Sequence, residues 1–129
     1  MTATENASML ARATAAAAAD KKATDIVAID VSEVLVLTDA FVLCSGSNPP
    51  QINAIVNEIE EKLHRLGARK ARREGDRGGH WVLLDFGEIV VHVMRQEQRV
   101  EYALERLWKD CAHIPLPDSV PPAGSGGPA

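Results

Sequence analysis

Trp81-Val-Leu-Leu-Asp-Phe86, Gly87-Glu88, Ile89-Val-Val-His-Val-Met94: two apolar runs meet here across a Gly-Glu pair, and their pairing follows residue by residue. Glycine at the first turn position suits a two-residue type II′ connection. With Gly87 and Glu88 as the turn, Phe86 lies opposite Ile89, Leu84 opposite Val91 and Val82 opposite Val93. Side chains alternate along a strand, so these six point to one side of a sheet. All are apolar, and that side is core. The other side collects Asp85 beside Val90, Leu83 beside His92 and Trp81 beside Met94. A purely solvated face would carry Lys, Glu, Thr and Ser. Two readings remain: a helix covers this face as a second core layer, or the face is open and meets a partner. Trp and Met are enriched at interface centres, and truncating a well-buried Trp there costs ~2 kcal/mol or more. Asp85 favours the open reading, because a buried carboxylate needs a partner, a role His92 is placed to fill.

Working back from the hairpin, the clearest helix starts at Asn48. Asn48 suits the N-cap, Pro49 and Pro50 the first turn, and Gln51 stands where a capping box expects it. Ile52, Ile55, Val56, Ile59, Leu63 and Leu66 recur at three- and four-residue spacing as one apolar stripe, and Gly67 ends it. Before it, Phe41–Ser45 is a continuous apolar run expected to be a strand covered on both faces. Asp25–Val31 is a further β-type run, followed by a polar break and Leu35-Val-Leu37. Strand, helix and a short segment around Ala68–Arg73 suggest a crossover onto one sheet. Asn6–Lys22 is rich in helix formers but has few large apolar residues beyond Met9 and Leu10, predicting a helix with a weak packing face, frayed at its start. After the hairpin, Gln96–Asp110 reads as a final helix burying Val100, Leu104, Leu107 and Trp108. From Pro115 the chain offers almost nothing to pack and is expected to be disordered. The fold class is therefore α/β (α+β), a mixed central sheet flanked by helices. It forms one domain: an alanine-rich helical segment over 1–24, a core over 25–112, and a Pro/Gly tail over 113–129.

Across 129 residues, 14 Lys and Arg stand against 18 Asp and Glu, a formal net charge of −4. That balance argues against general nucleic-acid binding, which runs on summed cationic contacts to phosphates. It suits an acidic surface docking on a basic protein. No apolar run reaches the roughly 18 residues a membrane helix needs. The stretch Ala13–Ala19 lacks the basic flank and leucine-type segment of a secretory signal, so the cytoplasm is expected. Cys44 and Cys111 have no metal-ligand spacing, and Cys44 reads as a small buried hydrophobe.

Catalytic readings find little support. Gly46-Ser47 lies between a strand and a helix N-terminus, where a phosphate can sit, which makes a nucleotidyltransferase-like enzyme acting on a nucleotide or RNA the main rival. That chemistry needs carboxylates converging on metal. Glu58 and Glu60, two apart on a helix, project about 200° away from each other. Asp85 and Glu88 straddle a turn with no third acid nearby. His64, His80 and His113 stand apart, and His92 with Asp85 lacks a nucleophile. No catalytic residue, metal site or cofactor is therefore expected. Arg69, Lys70, Arg72, Arg73 and Arg77 form a basic run, either a solvated segment or a peripheral RNA contact. Glu58, Glu60 and Glu61 read as a solvated acidic helix surface that keeps the protein soluble.

Several segments together resemble the ribosomal silencing factor family (RsfS, also called Iojap): Leu37-Thr-Asp-Ala-Phe-Val-Leu-Cys-Ser-Gly46, Ile59-Glu-Glu-Lys-Leu63, Trp81-Val-Leu-Leu-Asp-Phe-Gly87, Val90-Val-His-Val-Met94 and Tyr102-Ala-Leu-Glu-Arg-Leu-Trp108. The likeness spans about Ala7 to Asp110 in order and spacing. It implies a nucleotidyltransferase-like fold without catalysis. It also implies docking on a large-subunit ribosomal protein at the subunit-joining face, repression of translation by blocking subunit association, and a capacity to form homodimers. The position of Trp81 belongs to the family's ribosome-facing surface. Leu83, Asp85, Val90, His92 and Met94 join it through strand alternation, and Arg69, Lys70, Arg72 and Arg73 are the candidates for ribosomal RNA contact. The alanine-rich front, the Pro/Gly tail and Pro49-Pro50 depart from the family pattern.

Overall fold

The computed structural model describes residues 3–69, 72–75, 80–102 (backbone only for 100–102) and 109–121. β4 (Trp81–Asp85) and β5 (Ile89–Arg95) pair antiparallel in the register that alternation demands: Trp81 with Met94, Val82 with Val93, Leu83 with His92, Leu84 with Val91, Asp85 with Val90. Gly87 takes φ +85°, a left-handed conformation that a residue without Cβ adopts cheaply. The turn closes with Phe86 N–H donating to Ile89 O at 3.0 Å and Glu88 N–H to Phe86 O at 3.1 Å.

β1 (Thr24–Asp30), β2 (Ala40–Gly46) and β3 (Arg72–Gly75) complete a five-stranded sheet in the order β1-β2-β5-β4-β3. β2 and β5 run parallel and the other neighbours antiparallel, so the sheet is mixed. Reaching a parallel neighbour needs a crossover, which α2 (Pro49–Arg65) begins. Asn48 Oδ1 accepts from Gln51 N–H at 2.9 Å, the prolines occupy the first turn, and Gly67 ends the helix at φ +85°. Ile52, Ile55, Val56, Ile59 and Leu63 are fully buried, each contributing roughly 1.5–3 kcal/mol of hydrophobic stabilisation. Leu66 departs from the expected stripe. It caps the helix and is 44% exposed, because the chain turns away one residue before the stripe would return inward.

α1 (Glu5–Asp20) packs beside α2 on the same side of the sheet, against β1 and β2. Its packing face is not weak. Ala7, Leu10, Ala11, Thr14, Ala15, Ala17 and Ala18 are buried, and small side chains let the backbone come close. The start is held rather than frayed: Thr4 Oγ1 accepts from Ala7 N–H, and Ala3 and Thr4 N–H donate to the Asp30 and Asp39 carboxylates. Under these helices lie Val42, Cys44, Val82, Leu84, Val91 and Val93.

The first part of the expected tail is packed, while residues 122–129 lie outside the described residues. Residues 113–121 lie against the β1 edge: His113 bridges Ile29, Ile114 N–H donates to Ala28 O at 2.8 Å, and Ile114 and Val120 are each 7% exposed. The apolar residues of this segment are too sparse to show a period, and they pack because β1 offers unpaired backbone groups. α3 (Gln96–Tyr102) starts directly after β5 and touches β5 and β2. Leu104, Leu107 and Trp108, the side chain of Val100, Lys70 and Arg77 fall outside what is described. No helix among the described residues is long and apolar enough to cross a membrane.

Candidate docking face

The register places a second set of side chains on the sheet surface away from α1 and α2. Reading across the strands, this surface carries Val27 and Ile29, then Phe41, Leu43 and Ser45, then Val90, His92 and Met94, then Asp85, Leu83 and Trp81, and last Arg72 and Glu74. Burial falls off along it. Val27, Ile29 and Leu43 form a small second core with Leu35, Phe41 and Cys111. On β4, by contrast, Trp81, Leu83 and Asp85 are only half-buried, and so is Val90 on β5.

Two of the six residues assigned to this face by alternation are not on its surface. Met94 is fully buried and His92 is 7% exposed. Their strand lies in the middle of the sheet, next to Ser45 and Leu43, where α3 begins. From α3, Arg99 reaches back, donating to Asp25 O at 2.6 Å and to Ser45 Oγ at 3.1 Å. Alternation assigns a side chain to a face; how deeply it is buried depends on neighbours distant in sequence.

His92 organises the middle of the face. Its ring stands edge-on to Phe41 at 5.2 Å between centroids and 6.0 Å from the Trp81 ring. Trp81 Nε1–H donates to His92 Nδ1 at 3.2 Å. That bond requires an unprotonated Nδ1, leaving the proton on Nε2, which has no hydrogen-bond partner among the described residues. Burial first, and the nearby Arg99 charge second, push the imidazole down to about 4, so His92 stays neutral and keeps accepting from the indole. The half-exposed indole is thereby oriented by a buried neighbour. Beside it, Trp81, Leu83, Glu74 and Gly75 line a shallow groove of about 330 Å³.

Asp85 does not pair with His92. Its Oδ1 accepts from Gly87 N–H at 2.8 Å, closing an Asx turn at the hairpin tip. A signal for this was in the sequence, since an Asp two residues before a turn glycine is a local capping pattern. The residue as a whole is half-buried. The basic run splits across the sheet. Arg72 stands opposite Asp85 and pairs with Glu74 at 3.3 Å, while Arg73 turns to the helix side and meets Glu60 at 3.6 Å. Arg69 is exposed beyond Gly67.

The turn at Gly46-Ser47 is filled from within. Ser47 N–H and Oγ–H both donate to Gln51 Oε1, at 2.7 and 2.8 Å, while Gln51 Nε2 donates to Lys21 O and Lys22 O. The second half of the expected capping box is thus made one residue early. A Cβ at Gly46 would stand 3.0 Å from Ile52 Cδ1 and 3.3 Å from Gln51 Oε1 and Ile55 Cδ1, so a larger residue there requires these side-chain ends to shift. Among the described residues no cluster of three or more His, Cys, Asp or Glu is arranged to hold a metal ion.

Comparison with known proteins places these features in context. Residues 4–126 match the family model described as "Ribosomal silencing factor during starvation". The ribosomal silencing factor RsfS of Bacillus subtilis (strain 168) is 37% identical over 113 residues, covering 88% of this chain and 93% of that protein. "Mitochondrial assembly of ribosomal large subunit protein 1" of Mus musculus is 34% identical over 91 residues, covering 68% of this chain and 40% of that protein. Among solved structures, a Chromobacterium violaceum protein superposes with a TM-score of 0.75 at 33% identity, covering 78% of this chain and 84% of the other.

Proposed function

The chain belongs to the ribosomal silencing factor family, and from that membership we propose that it docks in the cytoplasm on the large ribosomal subunit through Trp81, Leu83, Asp85 and Val90 and thereby keeps the small subunit away. The observation that carries this reading is the β4 side of the sheet. There the two long helices are on the opposite face, and an indole, a leucine and a valine stay half-exposed around one carboxylate. A tryptophan with a fixed ring and a partly open flank is the kind of anchor that dominates interface energetics. Asp85 adds a charge that favours a basic protein partner and orients the encounter more than it tightens the complex.

In this reading the mechanism is steric and consumes nothing. The face binds a ribosomal protein at the joining surface, and the helices on the opposite face occupy volume the small subunit needs. His92 and Met94 support the face from below. Arg72, beside Asp85 on the same surface, is the best placed of the described residues of the basic run for a peripheral RNA contact; Arg73 points elsewhere and Arg69 lies beyond the sheet.

Co-sedimentation with purified large subunits tests the proposal. Trp81→Ala is expected to weaken binding roughly 30-fold, about 2 kcal/mol, with the fold kept. Adding the wild-type protein to separated subunits should lower the fraction that joins. Wild-type affinity in the variant removes the indole from the site, and undiminished joining at saturating protein sinks the steric mechanism.

A further inference from the structure

A second apolar surface lies outside the hairpin. Between β1 and β2, residues 31–39 leave the sheet in a loop whose base is tightly held. Val31 N–H donates to Asp39 O at 2.9 Å, and Val34 and Leu35 N–H both donate to Val31 O. Leu35 packs into the small core of Val27, Ile29, Val31 and Leu43. Thr38 Oγ–H and Asp39 N–H donate to Glu88 O, tying the loop to the hairpin turn. With its base fixed, the loop turns Val34, Val36 and Leu37 outward, 56%, 98% and 91% exposed. Loop positions usually carry polar or turn-forming side chains; three exposed aliphatics within four residues make a patch rather than a scattered exception.

Charge identifies what fits it. Asp30, Glu33 and Asp39 flank the loop, and Glu88 and Asp85 stand at the adjoining turn. From Ala23 to Glu61 the sequence holds no Lys or Arg. Burial opposes ionisation of Asp30, but hydrogen bonds from Ser32 Oγ, Ala3 N–H and Ser32 N–H together hold its carboxyl below the usual range. The base of the loop therefore carries a negative collar, in which Asp30, Asp39 and Glu88 also accept from Ala3 N–H, Thr4 N–H and Asn6 Nδ2–H at the start of α1. Nucleic acid and anionic lipid headgroups are repelled by such a collar. A second copy meeting it across a two-fold axis would bring like charges together. The complement is a protein surface with an apolar hollow bordered by Lys and Arg.

The patch also continues the candidate docking face. Half-buried Phe41 begins immediately after the loop and lies beside Val90, which neighbours Asp85. We propose that Val34, Val36 and Leu37 are a second anchor of the same docking event, inserting into an apolar hollow with a cationic rim on the protein that Trp81 contacts. This rests on the docking reading above and extends it to a segment on the other half of the sheet.

The test is Val36→Ser with Leu37→Ser, compared with Trp81→Ala in co-sedimentation with purified large subunits, together with thermal midpoints and sedimentation velocity of the free proteins. Because both side chains are almost wholly exposed, the midpoint should not move. Binding should weaken at least 10-fold, and the free protein should keep its oligomeric state. Wild-type affinity in the serine variant, with binding lost in Trp81→Ala, overturns the second anchor and leaves the docking face standing. A serine variant that changes only the oligomeric state shows that the patch joins two copies and also overturns it. If the wild-type protein does not sediment with large subunits, both readings fall together.

Discussion

Leu83 and Leu84 are neighbours in sequence and in chemistry, yet they belong to opposite surfaces of one sheet. Leu84 is fully buried beneath α1 and α2, among Val82, Val91 and Val93. Leu83 is half-buried beside the Trp81 groove. The helix side is closed by the chain's own long helices, so its apolar side chains serve stability. Among the described residues, the other side is closed over β1, β2 and part of β5. Its apolar side chains toward β4 are half-buried and gain less from folding, and in the docking reading proposed above they meet a partner. One alternating strand thus gives adjacent residues two different environments, and the docking proposal assigns them two different tasks.

The sharpest way to break that division is to truncate each leucine in turn. Leu84→Ala should cost roughly 2–5 kcal/mol, the transfer and cavity cost of a closed core, and leave large-subunit affinity of the folded fraction unchanged. Leu83→Ala should lower stability by about 1 kcal/mol or less, since a half-exposed side chain leaves no sealed cavity, while weakening binding. Urea midpoints and co-sedimentation read both quantities. Equal stability losses for the two would mean that the β4 surface is as closed as the helix side.

His92 tests the boundary between the two regimes, because it lies under the open part of the face yet is buried. Its folded-state value of about 4 is below the ordinary 6.5, so between those values the unfolded chain binds the proton more readily. The stabilisation is complete above about pH 6.5 and is lost as pH falls toward 4. The loss is on the order of 3 kcal/mol for a shift of this size. Asp30, also lowered, adds its own loss only near and below its ordinary 3.8. Denaturant midpoints at pH 7.5 and 4.5 should therefore separate, and His92→Gln should bring them together. A wild-type protein equally stable at both values would mean that water reaches the imidazole.

What was legible in the sequence follows the range of the forces involved. The hairpin register needed only a turn glycine and strict alternation, both local, and every pair came out as read. The α2 stripe and its Asn48 cap were equally local. Burial of His92 and Met94 was not legible, because it depends on Leu43 and Ser45 from a parallel strand and on α3 following β5. The alanine face of α1 gives little signal in the sequence for a related reason. Alanines show weak amphipathicity, yet they permit the closest approach once a partner surface exists. Ile114 and Val120 carried no periodic signal at all. In the sequence Leu35-Val-Leu37 stands out only as an apolar triplet after a polar break, although its position between Glu33 and Thr38-Asp39 marks it as an apolar insertion in acidic surroundings.

The smallest expected effect concerns charge on the open surface alone. Asp85 has two separable roles: its Oδ1 caps Gly87 N–H, and its negative charge stands among half-exposed apolar groups. Asp85→Lys would remove both at once and confuse a broken turn with a lost attraction. Asp85→Asn keeps an oxygen in the capping position and removes only the charge, so stability should stay within about 0.5 kcal/mol. Binding to a basic partner should fall only a few-fold, mainly through slower association, and its dependence on salt should become shallower. Association rates at low and high ionic strength separate the two roles. An unchanged salt dependence would assign Asp85 to the turn alone and leave the apolar groups of the β4 surface to account for docking without it.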